Sequence, residues 1–305
     1  MRNVLTFLLL LFSLLCNGQS PKLFTTDKEL SSSLINQIYQ DRNGFIGIAT
    51  EDGMIRYDGA KFTIYKHEPN NEHSLAHNFV RTVFEDSKGH LLIGTYIGIQ
   101  MYDPATDNFT PLAKLEDTGE TLESNINSFI ERKNGEIWVS GNVLCKLDIK
   151  DHLLTVRKVD IAVTSPGSLF EDKKQNVWMA KGEEGVYQLT PDNQLTLHLS
   201  KDNGYVKSIC EDQRGNIYVG SIRKGLFIYD KERKTFVPVD LKEKGELPVC
   251  FLYSGIPNEL YIGTDGKGVA IYNIRTHEIS EYKFDNNYFD SGNSKIHSIL
   301  KDNSG

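Results

Sequence analysis

The sequence predicts an all-β fold made of one four-stranded antiparallel unit repeated along the chain. Three observations predict it. A turn residue recurs at positions 44, 89, 135, 175, 215, 258 and 305, at intervals of 40 to 47 residues. A second anchor, Gly-x-x-x-Tyr-Asp or a near variant, follows each of the first six turns. No segment within a period carries an apolar stripe at helical spacing ten or more residues long. Four short strands per 40 to 47 residues is the pattern of a propeller blade. The fold class is therefore a β-propeller of four-stranded antiparallel blades. It has six complete blades plus the first strand of a seventh, so it is seven-bladed in pitch and truncated.

The elements follow in order within one period. Tyr39–Thr50, Phe84–Thr95, Ile130–Gly141, Phe170–Lys181 and Cys210–Ser221 are copies of one hairpin, Tyr253–Thr264 is a degenerate copy, and Leu300–Gly305 begins another. In the second copy, Phe79–Glu85 is the first strand and Asp86-Ser-Lys-Gly89 the turn, because Asp and Gly accept the left-handed backbone of a tight hairpin. Leu91–Thr95 is the second strand, Ile99–Asp103 the third and Asn108–Leu112 the fourth. The second anchor reads Gly53–Asp58, Gly98–Asp103, Gly185–Thr190, Gly225–Asp230 and Gly268–Asn273, while the third copy has lost its Gly and reads Val143–Asp148. Each first strand is expected to begin about nine residues before its turn residue.

Two columns of the repeat predict how blades pack. Ala49, Gly94, Ser140, Ala180, Gly220 and Gly263 are all small, as a strand needs where the next blade approaches closely. Two residues earlier stand Leu92, Trp138, Trp178, Tyr218 and Tyr261, with Gly47 the exception; these are the inter-blade core.

The 305 residues are 39% hydrophobic and carry a net charge of −7. That is globular composition, and its sign argues against a nucleic-acid partner. Met1-Arg2-Asn3, the apolar run Val4–Leu15 and the small residues Cys16 and Gly18 read as a secretory signal peptide, residues 1–18, cut before Gln19. Lipidation at Cys16 is the alternative. Residues 19–305 form the propeller domain, with no later apolar run long enough for a membrane span. Cys145, Cys210 and Cys250 sit in strand patterns and read as small core hydrophobes. The chain stops inside a hairpin turn, so the polypeptide is expected to continue; six-bladed closure with the last segment as a tail is the alternative.

The combined pattern, Asp-x-x-Gly-x-Ile-Trp-Ile-Gly-Thr-x-x-Gly-Leu-x-x-Tyr-Asp, resembles the two-component-regulator propeller repeat. Leu34–Gly59 and Asn78–Pro104 match best, with Ile217–Asp230 close behind. Blades one and two lack the Trp, the third copy has an eroded turn and the sixth is degenerate. The resemblance implies the periplasmic sensor region of a hybrid two-component system from a polysaccharide-degrading bacterium. It implies an oligosaccharide ligand. It also implies a second propeller, a sandwich, a membrane anchor in the inner membrane and a histidine kinase core beyond Gly305, and signalling as a homodimer.

The motifs of catalysis are missing from this stretch. There is no Gly-x-x-x-x-Gly-Lys-Ser/Thr, no Gly-x-Ser-x-Gly, no His-Glu-x-x-His and no Cys-x-x-Cys. Asp285–Asp290 lacks calcium-loop spacing, and His67, His73 and His77 share a loop without metal spacing. The expectation is no metal, no cofactor and no enzyme activity. The Asp residues of the turns are read as caps rather than as a catalytic set. A secreted lyase-like propeller enzyme and a protein-interaction scaffold are the alternatives to a sensor.

Stacking the first strands on their turns locates a ligand site. One column, Ile38, Val83, Phe129, Leu169, Ile209, Leu252 and Ile299, is wholly apolar. Two residues earlier, on the same side of each strand, stand Asn36, Arg81, Asn127, Gly167, Lys207, Cys250 and His297. This second column should ring one channel mouth, with Tyr96, Arg223 and Asp265 projecting from neighbouring loops. Amides, charges and aromatic faces of this kind suit a sugar. The expected ligand-binding residues are Asn36, Arg81, Tyr96, Asn127, Lys207, Arg223, Asp265 and His297.

Overall fold

The computed structural model describes residues 22–199, 204–241, 247–282 and 295–303. The signal peptide, Cys16, Asp285–Asp290 and the final turn residue Gly305 lie outside the described residues. Blade one is β1 (Ile35–Gln40), β2 (Ile46–Thr50), β3 (Gly53–Tyr57) and β4 (Phe62–Tyr65); blade two is β5 (Val80–Glu85), β6 (Leu91–Thr95), β7 (Ile99–Asp103) and β8 (Asn108–Phe109). A short strand β9 (Lys114–Leu115) precedes blade three, which is β10 (Ser128–Glu131), β11 (Ile137–Ser140), β12 (Leu144–Lys150) and β13 (Leu153–Lys158). Blade four is β14 (Ser168–Glu171), β15 (Val177–Lys181), β16 (Gly185–Leu189) and β17 (Leu195–Leu199). Blade five is β18 (Val206–Glu211), β19 (Ile217–Ser221), β20 (Gly225–Asp230) and β21 (Thr235–Pro238), and blade six is β22 (Val249–Ile256), β23 (Glu259–Thr264), β24 (Val269–Asn273) and β25 (Ile279–Glu281).

Six sheets in meander order confirm the predicted blades. First strands begin nine residues before the turn in blades one, two, five and six, and seven before it in blades three and four. One element was not legible. β9 leaves the end of blade two and pairs in parallel with β13 through Thr155–Lys114 and Val156–Leu115, giving blade three a fifth strand. A two-residue strand carries no periodic pattern for a sequence to show.

The turns form for the predicted reason. Asp172 Oδ1 accepts from the backbone N–H groups of Lys174 and Asn176 at 2.8 and 2.9 Å. Asp41, Asp86 and Asp212 make the same pair of bonds in their blades. The turn residue, three positions after the capping Asp where one is present, enters the left-handed region, as Gly89 (φ 95°) or, without glycine, as Gln175 (φ 67°) and Asn258 (φ 61°). Blade three has Arg132 in place of the capping Asp, and Asn134 Oδ1 takes over by accepting from Glu136 N–H at 3.0 Å.

Packing between blades uses the two predicted columns. A Cβ on Gly94 would lie 2.6 Å from Ile126 Cγ2, on Gly220 2.3 Å from Val249 Cγ1, and on Gly263 2.7 Å from Ile296 Cγ2. Each of those contacts is the residue nine positions before the next turn. The large residues two positions earlier fill four of the five apolar clusters that join one blade to the next, and Met54 fills the one between blades one and two, where the column has Gly47. Leu92 packs with Phe129 and Val139, Trp138 with Leu169 and Met179, Trp178 with Ile209 and Val219, and Tyr218 with Leu252 and Ile262. Tyr261 is the partial exception; it is half-buried and lines an apolar groove with Ile38, Val269, Tyr282, Ile296 and Ile299.

Two further bonds repeat from blade to blade. Near the strand midpoint, a polar side chain seven residues before one turn accepts from the next blade's backbone. Gln37 accepts from Val83 N–H (2.8 Å), Ser128 from Leu169 N–H (3.4 Å) and Ser208 from Leu252 N–H (3.0 Å). At the turn end, a Glu four residues before one turn accepts from the preceding blade's turn: Glu85 from Arg42 N–H, Glu131 from Ser87 N–H, Glu171 from Lys133 N–H and Glu211 from Lys173 N–H.

Residues 295–303 make both bonds with blade one. Ser298 Oγ accepts from Ile38 N–H at 3.2 Å, and Asn303 N–H donates to Gln40 Oε1 at 2.8 Å. On the other side, Ile296 N–H donates to Thr264 O of blade six at 2.9 Å, as Ile126 N–H does to Thr95 O at 3.0 Å. The segment thus holds the place of a first strand between the sixth blade and the first, with one bridge, Asp265–Lys295, rather than a full ladder.

Gly220→Ala is expected to destabilise the protein by about 1–3 kcal/mol, because Val249 cannot retreat from the added methyl. Gly47→Ala, whose Cβ would meet nothing nearer than 3.7 Å, is expected to leave the urea midpoint unchanged or slightly raised. Glu136 supplies a pH test. Burial pulls its carboxyl upward, but bonds from Lys146 Nζ (2.5 Å) and Trp138 Nε1 (3.1 Å) outweigh that and hold it at about 2. A carboxylate depressed in the folded state stabilises above its unfolded value, about 4.3, and loses that stabilisation as pH falls through the folded value. The stability gap between wild type and Glu136→Gln should therefore be full at pH 6 and close as pH approaches 2.

Candidate functional site

First strands are innermost, so a residue at one fixed distance from each turn meets its equivalents around the central channel. The predicted column does this. Asn36, Arg81, Asn127, Gly167, Lys207, Cys250 and His297 all line one cavity of about 450 Å³ at the channel mouth. The next outward position on the same side adds Ser165 and Tyr205, the end of β15 adds Lys181, and the loop after it adds Gly182.

The amides at the mouth are partly committed to structure. Asn36 Nδ2 donates to Val80 O of blade two at 2.8 Å, and Asn127 Nδ2 donates to Pro166 O of blade four at 3.1 Å. Each therefore ties its blade to the next and leaves its Oδ1 as the free acceptor. Arg81 places its guanidinium 5.7 Å from the Phe79 ring centroid. Burial pushes the Lys207 ammonium below its ordinary value, and the charges of Lys295 and Arg81 push the same way, against Cys250 and Asp265. His297 is lowered by burial, with Lys207 and Lys295 adding to it, so its imidazole is neutral at pH 7. Burial raises the Cys250 thiol. All three described cysteines are free and buried, as their strand patterns implied.

Three expected residues lie to the side of the cavity lining. Tyr96 is exposed and stacks on Phe79 with ring centroids 6.0 Å apart and planes at 2°. Arg223 pairs with Glu183 at 3.2 Å, and Asp265 with Lys295 at 2.8 Å. Each of these two charges is held by its own ion-pair partner, and neither side chain lines the cavity.

Of the lining residues that the sequence reading missed, Lys181 and Tyr205 had a signal. Lys181 stands where other blades carry Thr50, Thr95, Ser221 or Thr264. Thr50, Thr95 and Thr264 bond the carbonyl of the following Gly at 2.8, 3.0 and 2.7 Å, and Lys181 instead reaches Glu184 at 2.7 Å. Tyr205 stands two residues before Lys207, one further step along the same strand face.

Among the described residues no group of three or more His, Cys, Asp or Glu is placed to hold a metal, and no helix is long and apolar enough to cross a membrane. In the loop that holds His67, His73 and His77, His67 Nδ1 bonds Leu75 O at 2.8 Å and His77 Nδ1 accepts from Phe79 N–H at 2.9 Å.

The family model described as "Two component regulator propeller" matches residues 74–96 and 200–223. Two of the repeats therefore match the two-component regulator propeller repeat. The chain is 35% identical over 83 residues to histidine kinase P4 of Formosa agariphila, a match spanning 25% of this chain and 6% of the kinase. Its fold is similar to the extracellular domain of the hybrid two-component system BT3049 of B. thetaiotaomicron, with TM-score 0.77 at 21% identity, over 92% of this chain and 39% of that one. It is also similar to virginiamycin B lyase of Staphylococcus aureus, with TM-score 0.65 at 12% identity, over 88% of each chain. The structural likenesses carry the propeller fold, and the repeats carry the relation to two-component regulators.

Lys207 is held as a partly buried cation close enough to Arg81 to feel it, so Lys207→Met should raise the urea midpoint of the ligand-free chain. The sign follows from the lowered ammonium: the penalty is present at pH 7 and disappears above about pH 10.4, where the lysine is neutral in both states. The midpoint gain should shrink over that range.

Proposed function

We propose that the propeller is the exported, periplasmic sensing part of a two-component regulator and that its channel mouth binds an oligosaccharide. One observation carries this reading: each first-strand position contributes one residue to a single cavity, and those residues are amide, cation, imidazole and, from Tyr205, a phenol ring. A sugar needs paired acceptors and donors for its hydroxyls and a flat face for its ring. The free Oδ1 atoms of Asn36 and Asn127 and the exposed Tyr205 ring supply both.

A ligand at this place touches several blades at once. Its binding energy favours whichever arrangement of the ring sets those blades correctly, and that difference is what a signal requires. The relay partner is a histidine kinase core elsewhere in the same system, reached through a second propeller and a sandwich, with the assembly anchored in the inner membrane and acting as a homodimer.

Calorimetry of the full chain against an oligosaccharide panel tests the site. Tyr205→Ala is expected to weaken the cognate sugar about tenfold, equivalent to about 1.4 kcal/mol. Affinities within about twofold for both Tyr205→Ala and His297→Ala would remove the channel mouth as the binding site.

A further inference from the structure

The charges at the mouth do not balance, although the charges around it do. Lys295 is neutralised by Asp265 at 2.8 Å, Arg223 by Glu183 at 3.2 Å and Lys181 by Glu184 at 2.7 Å. Arg81 and Lys207 line the same cavity, and among the described residues neither has an ion-pair or hydrogen-bond partner. Glu51 reaches Arg81 through its charge alone, with no bond between them, and Asp265, which acts on Lys207 in the same way, is paired with Lys295. Among the described residues no carboxylate lines the cavity, in a chain whose net charge is −7.

Two unpaired cations in one partly desolvated cavity repel each other and have lost part of their hydration. An anion placed between them relieves both costs. We propose that the oligosaccharide is acidic, and that a carboxylate or sulfate group on it is held between Arg81 and Lys207. The proposal rests on the channel-mouth reading and names the chemical class of ligand for that site. Burial and the neighbouring positive charges lower the Lys207 ammonium, the direction expected of a cation left without its counter-ion. The rest of the site fits one acidic sugar among neutral ones. The Oδ1 atoms of Asn36 and Asn127 accept only, so they select hydroxyl donors, and the guanidinium of Arg81 offers the planar fork that matches a carboxylate or sulfate. A fixed positive mouth on an acidic protein also draws anionic ligands inward from solution.

The test is calorimetry of the full chain with matched probes. These are tetragalacturonic acid and its fully methyl-esterified form, and a sulfated galactan tetrasaccharide and its desulfated form. The acidic member of at least one pair should bind, and the neutral member should bind about 10- to 100-fold more weakly, the loss expected for charge-assisted bonds. Arg81→Gln combined with Lys207→Gln should impose the same loss on the acidic probe and none on the neutral one, with the melting temperature checking that the variant is folded. The pair that responds tells carboxylate from sulfate. Equal binding of acidic and neutral members, unchanged in the double variant, overturns the acidic class. If Tyr205→Ala then weakens that binding, the mouth remains a sugar site; if neither change affects it, the channel-mouth reading falls as well. No binding by any of the four probes overturns the acidic assignment.

Discussion

The whole ring depends on how closely one blade can approach the next. A propeller has no single central core. Its apolar residues are buried in separate clusters between successive sheets, and each cluster forms only where the facing backbones come near. Gly94, Gly220 and Gly263 set that distance, because a single added methyl would sit well inside van der Waals contact distance of Ile126, Val249 or Ile296. The side-chain bonds across the same seam then fix the sliding register. Gln37, Ser128 and Ser208 accept from the next blade near the strand middle, and the Glu belt accepts at the turn end. The seams between blades one and two and between blades three and four carry both anchors, and the seams between blades two and three, four and five, and five and six carry one each, which resists slippage of a blade along its neighbour.

That register creates the site. Because every first strand is pinned at the same height, residues eight positions before each turn meet in one plane around the channel. Gly167 leaves room on one side of it, and the residues opposite supply charge and amide groups. Asn36 and Asn127 serve both purposes at once: their amide nitrogens stitch adjacent blades, while their oxygens remain for a ligand. A bound molecule that engages those oxygens acts directly on the seam. The same physical feature that holds the ring together thus gives a ligand leverage over it.

The mouth is also the place where the fold accepts an electrostatic cost. Elsewhere the repeats pair their charges, as in the Arg132–Glu171 bridge at 2.9 Å across the third seam. Among the described residues Arg81 and Lys207 have no ion-pair partner, and both lose hydration to the cavity wall. Unbalanced groups of this kind concentrate where proteins bind ligands.

The sequence by itself determined the repeat, the four strands of each blade, the capped turns and the column that rings the channel, because all of these follow from a fixed spacing and from local backbone chemistry. It also showed which columns had to be small and which large. The tertiary structure decided what lies between blades. Nothing in the spacing of Lys114–Leu115 announced a fifth strand on blade three, since a parallel pair with Thr155–Val156 depends on where a connection happens to fall. The Glu belt was hidden because its partners are backbone N–H groups some 40 residues away. The fates of Arg223 and Asp265 were hidden because a loop side chain turns to whichever opposite charge packing brings near, and Glu183 and Lys295 were brought near. Distance along the chain fixes what one strand presents, and only the closed ring fixes what that surface meets.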